Sequence, residues 1–185
     1  MRSTFLLTMV LWGGLCLGWS LDHTPLSNLD ATNSLHTQIV VSKTKYPRGS
    51  TIRLKFLIRN QGSEPFYLFR GLSACSNQIG SLFLLIRDEQ GNVVNSEGCS
   101  VEVDMYKLDV VEELTNPESG VEIKPREIFA QNTELQLPRK KGTYHIAGKF
   151  IPAAFPRAQT SALAGRKIRV PLRVVSAETI TVRAQ

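Results

Sequence analysis

Residues 142–152 read Gly-Thr-Tyr-His-Ile-Ala-Gly-Lys-Phe-Ile-Pro, and their side chains alternate with a period of two. Tyr144, Ile146, Gly148 and Phe150 fall on one face, with Thr143, His145, Ala147 and Lys149 on the other. A pleated strand sorts such a pattern into an apolar and a polar side, whereas a helix scrambles it. The stretch is entered from a basic corner, Pro138-Arg-Lys-Lys-Gly142, and stops at Pro152, which has no amide to offer a ladder. This is the form of a late central strand in a β-sandwich.

The rest of the chain repeats the signal. Thr37 to Lys43 reads as a first strand with Ile39 and Val41 inward, followed by a turn at Lys45-Tyr-Pro-Arg-Gly49. Ser50 to Asn60 is the cleanest strand, with Ile52, Leu54, Phe56 and Ile58 facing in. Residues 66–70 are apolar on both faces, which suits a central strand or one covered by other chain. Leu82 to Arg87, the turn Asp88-Glu-Gln-Gly-Asn92 and Val93-Val94 make a hairpin. Residues 100–104 alternate again, and 105–114 fit either a helical turn or two, or a short strand. Short extended pieces follow at 121–124 and 127–137, with a turn at 116–120. Residues 153–167 are a long connection with a helical turn expected at 161–164, and long structured loops are often functional. The chain ends in strands at 168–174, where Pro171 argues for an edge or a bulge, and at 178–182. These signals predict an all-β fold: an immunoglobulin-like antiparallel β-sandwich of about seven to nine strands.

The N-terminus carries a different signal. Arg2 precedes an apolar run from Phe5 to Leu17, followed by Gly18-Trp19-Ser20. That is the order of a secretory signal peptide cleaved between Gly18 and Ser20, and the run is short for a membrane span. The expected layout is therefore a signal peptide at 1–20, a flexible leader at 21–35 and a single sandwich domain at 36–185. The expected location is secreted or periplasmic, with no stable membrane insertion after cleavage. Cys16 leaves lipidation of the N-terminus open. Cleavage after Ser20 would expose Leu21-Asp22-His23, an amino-terminal sequence able to hold Cu(II) in a square plane, although His23 is more simply an incidental leader residue.

Once Cys16 is removed, Cys75 and Cys99 remain. They flank the 82–94 hairpin, so their backbones should approach, and an exported chain meets an oxidising compartment. A Cys75–Cys99 disulfide closing roughly 25 residues would stabilise the fold by about 3 kcal/mol.

Composition narrows function by exclusion. With 42% hydrophobic and 21% charged residues the 185-residue chain is an ordinary globular protein. A formal charge of +6 and a pI of about 9.4 are spread among acids, without the basic face and stacking aromatics of a nucleic-acid binder. No histidine pair or CxxC has zinc spacing, no glycine-rich phosphate loop or G-x-S-x-G elbow is present, and Asp88-Glu-Gln-Gly-Asn92 is a turn rather than a calcium loop. Neither metal nor cofactor is expected. Glu112-Glu113 and Arg139-Lys-Lys141 read as solvated faces, and His145 as a surface histidine.

Tyr144, two residues after Gly142 and two before Ile146, resembles the tyrosine corner of secreted immunoglobulin-like domains. The strands at 52–58 and 146–150 carry no cysteines, so the inter-sheet disulfide of antibody domains is absent. Residues 54–127 also resemble the BsuPI-type proteinase inhibitors, through Ile58-Arg-Asn60 with Glu64-Pro65, Ile86-Arg-Asp-Glu-Gln-Gly-Asn-Val93 and Lys124-Pro-Arg-Glu127. That resemblance implies a proteinase inhibitor, and no inhibitory residue is carried over from it. The expected function is an exported, non-enzymatic module that binds an unknown protein partner or serves structurally. Its contacts would come from residues 71–81 and 153–167, with Phe155, Arg157, Arg166 and Lys167 as the binding candidates. The alternatives are a proteinase inhibitor and an enzyme of unrecognised type.

Overall fold

The computed structural model describes residues 28–69, 81–97, 109–152 and 155–185. The expected signal peptide, Cys75, Cys99 and the alternating 100–104 stretch lie outside these residues.

The described chain forms an antiparallel β-sandwich of immunoglobulin type. One layer holds β1 (Leu35–Val41), β3 (Thr51–Asn60) and β8 (Ile128–Gln136), in the order β1-β3-β8. The other is built on β9 (Gly142–Ile151), which pairs with β5 (Ser81–Arg87) on one side. On its other side β9 pairs with β10 (Val175–Ser176) and β11 (Ile180–Ala184). At the outer edges are β6 (Val93–Glu97), on β5, and β2 (Lys45–Tyr46), which joins β11 in parallel. A separate ribbon pairs β4 (Phe66–Phe69) with β7 (Gly120–Ile123).

The core follows the alternation. Ile52, Leu54, Phe56 and Ile58 of β3 are buried, as are Tyr144, Ile146 and Phe150 of β9 and Leu82, Leu84 and Ile86 of β5. The two layers approach closely at Gly148. A Cβ built there would lie 2.8 Å from Ile39 Cδ1 and 3.1 Å from the Phe56 ring. A glycine is therefore needed because the facing layer already fills the space. The Tyr144 hydroxyl donates to the Lys140 carbonyl at 2.8 Å, the bond that defines a tyrosine corner.

A smaller core sits beside the sandwich. Leu29, Phe69, Val110, Leu114, Leu163, Ile168 and Val170 are buried together, with Tyr67 and Phe155 packed against them. Phe66 and Leu68 point into the main core while Tyr67 and Phe69 point into this one, which is why β4 is apolar on both faces. The cover comes from α1 (Val110–Thr115) and α2 (Arg157–Gly165). The ambiguous 105–114 stretch resolves as α1 in its described part because Asp109 caps it, accepting from the Val111 and Glu112 amides at 3.1 and 3.0 Å. After α1 the chain turns so closely that a Cβ on Gly120 would overlap the Leu114 carbonyl.

Three expectations change. The helical turn at 161–164 is a nine-residue helix. Residues 168–174 form no regular strand. Val170 makes an isolated bridge to Asp30, and Pro171, lacking an amide, cannot extend it. The leader expected through residue 35 gives way earlier, since Leu29 and Ala31 are buried and the Ala31 amide donates to the Val170 carbonyl at 2.9 Å.

Gly148→Ala should destabilise the protein by about 1–3 kcal/mol through overpacking, measured by urea unfolding. Ile39→Val removes the methyl that the new Cβ would strike. The double variant should therefore be more stable than the sum of the two single effects; simple additivity would contradict the close approach.

Candidate functional site

The four expected binding residues sit on or beside α2, but the structure does not gather them. Arg157 and Arg166 are separated by the length of the helix, about 13 Å, and by about half a turn in phase. Phe155 is half-buried in the small core and closes a cleft of about 10 Å³ with Tyr67, Phe69 and Pro171, room for roughly one water. Lys167 ends the helix. Its φ is 56°, and its amide bonds to the Ala164 carbonyl at 3.0 Å while that of Ile168 bonds to Leu163 at 2.9 Å. This is a Schellman motif with lysine in the left-handed position usually given to glycine. Ile168 and Leu163 supply the accompanying apolar contact.

Among the described residues, Arg166 lines an open groove. The groove runs between α1 and α2, holds about 560 Å³, and is lined by Asp109, Val111, Glu112, Thr115, Ala162, Gly165 and Arg166. Its lining is apolar at Val111 and Ala162, with the acids on and just before α1 and the guanidinium just after α2. Asp109 is committed to capping, so Glu112 and Arg166 are the charges available to a ligand. Residues 71–80, the other expected contact loop, lie outside the described residues.

Two polar hubs organise the chain away from this groove. Asp30 accepts from the Thr32 amide at 2.9 Å, from the Thr32 hydroxyl, from the Leu172 amide at 3.2 Å and from Arg173 Nε at 3.0 Å. Thr32 Oγ1 in turn accepts from the Leu172 and Arg173 amides, both at 3.0 Å. Burial pushes the Asp30 carboxyl up, but the Thr32 and Leu172 hydrogen bonds and the Arg173 charge outweigh it and hold it below the ordinary value. The sequence signal was Asp30-Ala-Thr32, a spacing that favours a side-chain turn. Asn60, fully buried, donates to the Glu64 and Ile123 carbonyls at 2.8 and 2.9 Å and accepts from the Gly62 amide at 2.9 Å. Its backbone carbonyl takes the Arg126 amide at 2.9 Å and its amide meets Glu127 at 3.0 Å. Thus Asn60, Glu64-Pro65 and Lys124-Pro-Arg-Glu127, scattered in sequence, form one corner of the fold. Arg126 tips it with φ of 70°, closed by a 3.0 Å bond from the Glu127 amide to Lys124.

His145 is half-buried on the outer face of β9, its Nδ1 3.2 Å from the Thr181 hydroxyl. Among the described residues no three His, Cys, Asp or Glu side chains are placed to hold a metal ion, and no helix is long and apolar enough to cross a membrane.

No family model matches the chain, and no curated protein matches it in sequence. Solved structures with a similar fold include the CARDB domain of a Pyrococcus furiosus protein, described as a complex with di-metal ions. It has 10% identity and a TM-score of 0.38, over 81% of this chain and 91% of that one. A putative ApaA protein from Bordetella pertussis has 14% identity and a TM-score of 0.35, over 81% and 93%. The Pseudomonas fluorescens alkylpurine DNA glycosylase AlkC, bound to DNA with an abasic-site analogue, has 7% identity and a TM-score of 0.40, over 82% of this chain and 30% of that one.

Asp30→Ala should cost about 1–3 kcal/mol at neutral pH, the range for a hydrogen-bonded charge. A carboxyl held low in the folded state stabilises above its unfolded value and loses that contribution as pH falls through the folded value. The gap between wild type and variant in thermal unfolding should therefore be full above about pH 5 and shrink below the ordinary aspartate value of 3.8.

Proposed function

We propose that this chain is an exported, non-enzymatic β-sandwich module that binds a protein partner through the groove between α1 and α2. The observation that carries this reading is the groove itself, whose lining combines Val111 and Ala162 with Glu112 from α1 and Arg166 from the end of α2. Apolar contact area beside opposite charges suits a protein surface, where the charges set orientation and the apolar contacts supply affinity. Export is supported by the sequence order of residues 1–20, a charge followed by an apolar run and small residues.

The alternative, proteinase inhibition, draws support from the convergence of Asn60, Glu64 and Arg126 at one corner. It is less well served by the conformation there, since Arg126 sits in a closed turn fastened to Asn60 rather than on an extended loop that could enter a cleft.

The test is capture from the extracytoplasmic fraction of the native cell, using the mature protein with Arg166→Glu and Arg53→Glu variants. Wild type and Arg53→Glu should retain the same partner, and Arg166→Glu should lose it by at least about tenfold, as for a central interface charge. Equal capture by all three, or capture of nothing, would overturn the reading.

A further inference from the structure

The doubly apolar strand β4 has its second face covered by the helical core. The strand β5 is apolar on its second face as well, and among the described residues neither buried core covers that face. Phe83 and Leu85 point away from the sandwich interior and are half-buried. Among the described residues they belong to neither buried cluster. Across the ladder Leu85 lies opposite Ala147, Phe83 opposite Lys149, and Arg87 opposite His145. Ile151, at the end of β9, is 39% exposed, and Val174, just before β10, is 54% exposed. The outer face of the larger sheet thus carries an apolar stripe where a solvated antiparallel sheet would place polar residues, and contiguous patches of this kind mark interaction surfaces.

The charges around the stripe select its occupant. Lys149 stands within it, and Arg87, His145 and Arg183 border one end on β5, β9 and β11. Of the two acids in the turn beside that end, Asp88 is taken up by the Gln90 and Asn92 amides and the Asn92 side chain. Glu89 is engaged by Thr143, whose hydrogen bonds hold its carboxyl below the ordinary value, with His145 and Arg183 adding to the effect. A second copy would bring cations against cations. We infer that this face docks an acidic polypeptide partner whose contact residues alternate apolar and carboxylate side chains, the apolar ones meeting Phe83, Leu85 and Ile151 and the carboxylates meeting Lys149 and Arg87. It shares no residue with the groove between α1 and α2.

A fluorescent synthetic peptide of alternating glutamate and valine, titrated into the mature full-length protein, tests this directly. It should bind, more weakly as salt rises, and a lysine–valine counterpart should not. Lys149→Glu should weaken binding by at least about tenfold, as juxtaposed like charges cost strongly. Phe83→Ser should also weaken it, while Arg53→Glu on the opposite layer and Arg166→Glu in the helix groove leave it unchanged. Circular dichroism checks that each variant is folded. Equal weakening by Arg53→Glu and Lys149→Glu would show attraction to general positive charge and overturn the assignment. So would absence of binding, or displacement of the peptide by phosphatidylglycerol vesicles, which would make the face a lipid surface instead.

Discussion

The close approach of the two layers at Gly148 is the contact on which the rest of this structure depends. Sandwich layers pack at a distance set by their side chains, and at this point one side chain has been removed so that Ile39 and Phe56 can reach the β9 backbone. The alternation then fixes everything else on β9. Tyr144, Ile146 and Phe150 are turned inward by the same register that turns His145, Ala147 and Lys149 outward. A slip of one residue would exchange the two sets and drive Lys149 into the core. The tyrosine corner reinforces this register from one end, tying Tyr144 back to Lys140.

Around that fixed pair of layers the chain adds a second, helix-lined core, and the function proposed here lives in the additions. β4 serves both cores at once, and α1 and α2 meet over its far face. The segment after α2 is held in place by Asp30 and Thr32, so the N-terminal stretch before β1 buttresses the helical core rather than trailing from the sandwich. Lys167 and Arg126 occupy left-handed backbone positions where glycine is usual, the kind of local strain that persists only when the surroundings dictate it. In both cases the dictating bonds are visible: the Schellman closure after α2, and the Asn60 carbonyl under Arg126.

Much of this was legible in the sequence where a single periodicity governed. The strands β3 and β9, their inward residues, the 88–92 turn and the tyrosine corner follow from alternation and turn chemistry alone. The helical core was not legible, because its members come from segments too short to show a period. Val110 and Leu114 come from a six-residue helix, Leu163 from a nine-residue one, and Leu29 and Val170 from irregular chain. The four candidate binding residues were close in sequence, yet a helix separates Arg157 from Arg166 and burial removes much of Phe155, so only Arg166 lines the groove. The hub roles of Asp30 and Asn60 were not legible for a related reason. Each gathers partners from distant parts of the chain, and local sequence shows only the nearest of them.

Native-state hydrogen exchange addresses the layer contact most directly. If the Gly148 approach is the constraint that holds the fold, the amides of β9 between Ile146 and Phe150, together with those of β3 facing them, exchange only through global unfolding. Those of α1, α2 and the β4–β7 ribbon then open earlier, as a separate unit. Exchange of the β9 amides as fast as, or faster than, those of the helices would contradict this, and would place the organising core beside the sandwich rather than inside it.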